Sequence, residues 1–233
     1  MYILEGNIGA GKTTFLNLIA KHIPQARIVD EPLKAWNKKG QGKSLLTNFY
    51  SDTPRWAFTM EMFTLVCRIQ EHMREQETSY KAPVVMERSI YSGYYCFALN
   101  SYKQGFINDL EWEILKRWFT YLVHGKCTDP KGFIYLKLSP KTAWQRTKKR
   151  NRSGEQNIPL SYFQQINDAM DTFLIKKQGL LPGLAQIPAL VLDCNECFVQ
   201  NKQKQKEMLQ QVQDFFAKTC NFRPAEKIDS MQA

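Results

Sequence analysis

At 233 residues, with 43% hydrophobic side chains and no long polar tract, the chain is sized for one domain with a full core, and a largely disordered protein is excluded. No stretch approaches the roughly 20 apolar residues of a membrane span. The start, Met1-Tyr2-Ile3-Leu4-Glu5-Gly6, carries no basic leader and no apolar signal core, so a soluble protein of the cytoplasm or nucleus is expected. A formal net charge of +10 points to anionic partners, either polyphosphate or nucleic acid.

Tyr2–Glu5 reads as a buried strand and Lys12–His22 as the helix that follows it. Arg27–Asp30 is the second apolar run. Trp56–Glu77 has helical spacing, with Phe58, Met62, Leu65, Val66 and Ile69 on one side. Pro83–Glu87 is the third strand and Asp109–Val123 the next long helix. Gly132–Leu138 is the fourth strand. Between Lys137 and Gly154 lie seven basic residues and no acidic ones, a pattern that suits a solvated helix face or a nucleic-acid patch. Ser161–Leu174 is helical, Ala189–Asp193 is the fifth strand, and Gln203–Lys218 carries Met208, Val212, Phe215 and Phe216 on a closing helix. The polar stretch 221–233 is expected to be a loose tail beyond a single domain covering 1–220. Strands alternating with helices predict an α/β fold with a doubly wound, five-stranded parallel sheet. The six cysteines are expected to be reduced thiols. Cys194-x-x-Cys197 has zinc-ribbon spacing, but no second pair accompanies it.

Between the first strand and its helix, Gly6-Asn7-Ile8-Gly9-Ala10-Gly11-Lys12-Thr13 fits the phosphate-loop pattern G-x-x-x-x-G-K-[ST], followed by Thr14. Glycines let backbone amides turn inward around an anion, and the helix presents its positive end to the same charge. Lys12 can reach the terminal phosphates and the Thr13 hydroxyl can join a Mg²⁺ shell. A nucleotide and Mg²⁺ are therefore expected here, and GTPases, ATPases, nucleotide kinases and small-molecule kinases all share the pattern. No Asn-Lys-x-Asp guanine signature occurs. Two further strands end in acid, Asp30-Glu31-Pro32 and Glu87-Arg88-Ser89, on the edge where parallel sheets bind ligands. Transfer to an alcohol needs a carboxylate to take the proton and a cation on the migrating group. Glu31, Glu87 and Arg88 can fill those roles, and a simple Glu87–Arg88 ion pair capping the strand is the alternative.

With GNIGAGKTTF (6–15), EPLKAW (31–36), PRWAFTMEMF within 46–68, ERSIYS with YYCF (87–97), RTKKRNRSGEQNIPL (146–160) and LDCNECF (192–198), the chain resembles the deoxyribonucleoside kinases. That group includes deoxycytidine, deoxyguanosine and mitochondrial thymidine kinases and the insect multisubstrate enzyme. The resemblance implies ATP-dependent phosphorylation of a deoxynucleoside 5′-hydroxyl. It makes Glu31 the general base, places Arg88 on the transferring phosphate, and has Glu87 hold Mg²⁺ with Thr13. It matches Tyr50 and Glu155 to the grip on the sugar 3′-hydroxyl, and Arg146, Arg150 and Arg152 to a cationic lid over about 146–157. Ile8, Trp36, Leu46, Phe49, Met60 and Phe97 resemble the apolar cleft around the base, and Phe198 lies in the loop flanking adenine. Family members are homodimers packed through long helices, here expected at Trp56–Glu77 and Asp109–Val123.

Two positions depart from the family pattern. Glu61 stands where a glutamine usually meets the Watson–Crick edge. An ionised carboxylate accepts hydrogen bonds only, which favours the two adjacent donors of guanine. Gly93 replaces an aspartate paired to the arginine at Arg68 and looks like the thymidine-accepting members. Arg68, two helical turns beyond Glu61, could instead neutralise that carboxylate. The expectation is a weak lean to purines. The runner-up function is a nucleoside monophosphate kinase of the thymidylate kinase type. A basic, nucleic-acid-binding phosphate-loop protein is the weaker alternative.

Overall fold

The computed structural model describes residues 1–31, 44–77, 82–152 and 154–220. Five parallel strands, β1 (Tyr2–Gly6), β2 (Arg27–Val29), β3 (Val84–Glu87), β4 (Gly132–Lys137) and β5 (Ala189–Asp193), form one sheet in the order β2-β3-β1-β4-β5. β1 is central, with Tyr2 paired to Val85 on one side and to Gly132 on the other. Every residue of β1 is buried, as expected of a strand covered on both faces, which reads as an unbroken apolar run. The period-2 alternation of strands then sorts the core. Ile3, Phe133 and Tyr135 enter one layer, and Tyr2, Leu4, Ile134 and Leu136 enter the other.

The second layer is closed by α1 (Lys12–His22) and the last helix, and Tyr2 packs on Phe216 with ring centroids 4.4 Å apart. The first layer is built by α2 (Leu45–Ser51), α3 (Thr53–Gln76), α4 (Ile90–Ser92, continued through a π-helical turn, Gly93–Ala98, into Leu99–Lys103) and α5 (Asp109–Lys126). Tyr94 of α4 stacks on Phe119 of α5 at 3.9 Å. Caps fix where these helices begin. Ser44 accepts from the Thr47 amide, Asp52 from Arg55, and Asn108 and Glu111 form a reciprocal capping box. The chain continues through α6 (Pro140–Arg150), α7 (Leu160–Asp171, running into a π-helical turn Thr172–Lys176), α8 (Pro182–Gln186) and α9 (Lys202–Cys220).

Most of the basic run is helical. Ser139 caps α6, Pro140 opens it, and Asn151 ends it in the left-handed region at φ 54°. Lys141, Arg146, Lys148, Lys149 and Arg150 thus ride on α6, and Arg152 follows in the turn. No helix among the described residues is long and apolar enough to cross a membrane. The carboxyl ends of β1, β2 and β3 converge on one edge and carry the phosphate loop, Glu31 and Glu87–Arg88. Trp36 and the tail 221–233 lie outside the described residues.

Candidate active site

The phosphate loop is braced from two sides. The Asn7 side chain accepts from its neighbour's amide (Ile8, 2.8 Å) and donates to the Phe163 carbonyl at 2.9 Å, tying the loop to α7. Gly9 has φ 77°, and a Cβ there would lie 2.5 Å from the Ala143 carbonyl oxygen of α6, so only glycine fits. Gly6 and Ala10 pack together, and Phe198 sits buried against Gly11 and Phe15 beneath the loop. Lys12 is buried, its Nζ donating to the Gly6 and Asn7 carbonyls (3.3 and 3.1 Å). Burial, helped by nearby Arg88, lowers its pKa to about 7. Thr13 and Thr14 are exposed at the helix start, and the Thr13 hydroxyl donates to Glu87 Oε2 at 3.0 Å. A hydroxyl beside a carboxylate is an oxygen-only donor set that suits Mg²⁺. Among the described residues no cluster of three or more His, Cys, Asp or Glu could cage a metal by itself. Mg²⁺, which typically keeps waters and substrate phosphates in its shell, fits that arrangement.

Glu31 lies beyond β2, its side chain only 8% exposed. Arg68 of α3 donates to it at 2.9 Å and Arg88 lies 3.5 Å away. Burial alone would raise the Glu31 pKa. The charges of Arg88, Arg68 and Lys12 outweigh that and hold it below the usual carboxylate range. Arg88 is a non-glycine residue at φ 64°, a conformation costing on the order of 1–3 kcal/mol, fixed by a 2.9 Å bond from its amide to the Leu4 carbonyl. Its guanidinium lies over the Phe97 ring at 4.8 Å, and Nη1 is buried without a hydrogen-bond partner among the described residues. The ion pair of Arg88 is thus with Glu31, not with its neighbour Glu87. Arg68 likewise is paired to Glu31, and its charge also acts on Glu61, lowering that carboxyl's pKa. The geometry explains this: Arg68 is directed past Gly93, where a Cβ would come within 2.7 Å of Nη1.

Glu31, Lys12, Thr13, Glu87, Arg68 and Arg88 share one cavity with Ile8, Gly9, Leu46, Phe49, Met60, Phe97 and Glu61. The cavity opens to solvent at its mouth. Tyr50, Arg150, Arg152 and Glu155 complete one wall. Glu155 is buried and receives Arg150 at 2.7 Å and Arg152 at 3.5 Å. Tyr50 is close to it, and burial together with the Glu155 charge pushes the phenol pKa up. Arg146 lies apart from this cavity, donating to the Asn195 carbonyl at 3.1 Å. Glu61 is 6% exposed, and its carboxylate makes no hydrogen bond or ion pair with a described residue. Burial pushes its pKa up to about 8, against the opposing charge of Arg68. That direction favours the neutral acid over the ionised, acceptor-only group expected from the sequence.

Three residues have no counterpart in the sequence reading. Thr64 and Tyr162 line the cavity. Thr64 is one turn after Met60 and Glu61, a spacing that puts it on their face. Tyr162 opens α7 beyond the lid and carries no local signal. Glu5 is fully buried at the end of β1, accepting from Ser89 at 2.6 Å, its carboxyl pushed up by burial against the pull of Arg88. An acid inside an otherwise apolar strand was its only trace.

Residues 2–217 match the deoxynucleoside kinase family model. The chain is 31% identical to deoxycytidine kinase 2 of Gallus gallus, over 91% of this chain and 88% of that one. It is 29% identical to the mitochondrial deoxyguanosine kinase of Xenopus laevis, over 92% and 88%. It is 32% identical to the mitochondrial thymidine kinase 2 of Homo sapiens, over 86% and 76%. A phosphate loop sharing one cavity with an arginine-held carboxylate, and a match spanning almost every residue, place this chain in the deoxynucleoside kinase family.

Proposed function

We propose that the cavity transfers the γ-phosphoryl group of ATP to the 5′-hydroxyl of a deoxyribonucleoside. The observation that carries this is Glu31, an ionised carboxylate pinned by Arg68 and Arg88 in the same cavity as Lys12 and Thr13. The base enters between Leu46, Phe49, Met60 and Phe97, Tyr50 and Glu155 hold the sugar 3′-hydroxyl, and the 5′-hydroxyl meets Glu31. As the O5′–phosphorus bond forms and the bond to the ADP oxygen breaks, the hydroxyl proton passes to the Glu31 carboxylate. The spare Nη1 donor of Arg88 and the Lys12 ammonium stabilise the negative oxygens of the migrating group. Thr13 and Glu87 would hold Mg²⁺, whose role is to neutralise phosphate charge. Arg150, Arg152 and Arg146 supply cations from the lid side.

Against a nucleoside monophosphate acceptor stands the carboxylate of Glu31 at the place where the 5′-oxygen would meet it, which repels an acceptor that already carries a phosphate there. An exposed apolar stripe on α5 (Leu110, Ile114, Trp118, Tyr121) beside Phe63 and Val66 of α3 supports a homodimer packed through these helices. The test is ATP-dependent phosphorylation of deoxyguanosine, deoxyadenosine, deoxycytidine and thymidine, with the four monophosphates as parallel acceptors. Conversion of nucleosides alone is expected. Conversion of monophosphates alone would overturn the reading and leave Glu31 without this role.

A further inference from the structure

The register between β1 and β3 ends at Leu4 and Glu87, and the chain turns at the next residue. Arg88 there holds φ 64°, a left-handed conformation that a long side chain keeps only where its surroundings over-determine it. The bond from its amide to the Leu4 carbonyl is one restraint. The second comes from a side chain. Glu5, next along β1 and fully buried, accepts from the Ser89 hydroxyl at 2.6 Å. Ser89 in turn accepts from the Ser92 amide at 3.1 Å and so caps α4. The one proton of the hydroxyl and one of its lone pairs are both engaged, which fixes its orientation. Successive residues of β1 thus hold residues 88 and 89, the first through its backbone and the second through its side chain.

Capping α4 does not require this acid. A serine cap works through its own oxygen, and the cap hydroxyls of Ser44 and Ser139 have only threonine hydroxyls, Thr47 and Thr142, beside them. A carboxylate withdrawn from water is costly, so its place at this junction calls for a role that a helix cap does not supply. Its neighbours belong to the site. The charges of Arg88, Arg68 and Lys12 all act with it, and Cys96 of the π-helical turn lies in its field. Glu5 itself does not line the cavity, and its Oε2 has no hydrogen-bond partner among the described residues.

We propose that Glu5 is a positioning residue for phosphoryl transfer: its bond to Ser89 fixes the turn at Arg88, so that the guanidinium is held 3.5 Å from Glu31 on the wall shared with the phosphate loop. This rests on the deoxynucleoside kinase reading and adds to it a residue that acts only through Arg88.

The experiment is steady-state kinetics with the best-converted deoxynucleoside at saturating ATP, for Glu5→Ala, Glu5→Gln, Ser89→Ala and Ser89→Thr, with thermal unfolding alongside. Glu5→Ala and Ser89→Ala should each lower kcat by roughly 10- to 100-fold while KM for the nucleoside stays within about threefold. Glu5→Gln keeps an oxygen that can accept from Ser89, and Ser89→Thr keeps the hydroxyl, so both should stay within about fivefold of the parent kcat. In an Arg88→Lys background the alanine changes should cost less than about twofold, because the group they position is already gone. Unchanged kcat, a loss that glutamine and threonine do not restore, or a loss that persists in full beside Arg88→Lys would each overturn the proposal and leave the kinase reading intact. Should Glu5→Ala fail to fold, Ser89→Ala and its threonine rescue decide the outcome. A parent that phosphorylates no deoxynucleoside would instead sink the reading beneath it.

Discussion

Replacing Gly93 by alanine should separate catalysis from folding at this site. Gly93 is helical, at φ −52°, so alanine meets no backbone strain and contributes about 0.5–1 kcal/mol of helix propensity. Its Cβ, however, would lie 2.7 Å from Nη1 of Arg68, closer than such contacts occur. Arg68 is only 8% exposed and cannot retreat without leaving Glu31, so the 2.9 Å charge-assisted bond is what yields. Losing it forfeits about 1.5–3 kcal/mol at the catalytic carboxylate, hence a roughly 10- to 100-fold fall in kcat/KM for every deoxynucleoside. The melting temperature should stay within about 4 °C of the parent. Steady-state kinetics paired with thermal unfolding measures both. A double-mutant cycle with Arg68→Gln should show that the two losses do not add. Activity within twofold of the parent would refute the reasoning, because it would mean that Glu31 does not depend on Arg68. A collapse in stability would refute it differently, by making the defect one of packing.

Glu31→Gln should lower kcat by on the order of 10²–10⁴ with little change in nucleoside affinity, and near-normal turnover would remove Glu31 from proton transfer. Glu155→Gln should narrow the advantage of deoxynucleosides over 2′,3′-dideoxynucleosides by about tenfold in kcat/KM, through the lost charged contact to the 3′-hydroxyl; an unchanged ratio would detach Glu155 from the sugar. Trp118, 49% exposed on α5, should be an anchor of the homodimer, so Trp118→Glu should give monomers in light scattering coupled to size exclusion. A parent that is itself monomeric would end that proposal.

The strands and long helices were legible because their signals are local. The apolar runs at 2–5 and 132–138 match β1 and β4 to within a residue, and Trp56–Glu77 lies almost wholly within α3. What escaped was set by tertiary contact. The π-helical turn at Gly93–Ala98 has no periodicity of its own and forms where Gly93 must make room for Arg68. The basic run suited a solvated helix face, and most of it is α6, whose start at Ser139 and Pro140 charge composition alone does not mark. The site divides the same way. The phosphate loop announces itself by spacing. Which arginine holds which acid depends on side chains from α3, β2 and β3 meeting in space, and it is burial that moves the Glu61 pKa upward.

The strand order also has a consequence for how the chain acquires its shape. The phosphate loop is written within Gly6–Thr13, yet the strand that leads into it has no neighbour nearby in sequence. β1 hydrogen-bonds to β3 and β4, so a nascent chain that has not yet reached Gly132 leaves one edge of its central strand open. Contacts of such long range are slow to form, and loop closure must be achieved before pairing rewards it. The earliest-made segment is therefore among the last to become competent. A ligand that binds only the folded phosphate loop, packed at Gly9 against Ala143 of α6, would stabilise the nearly completed molecule and not its precursors.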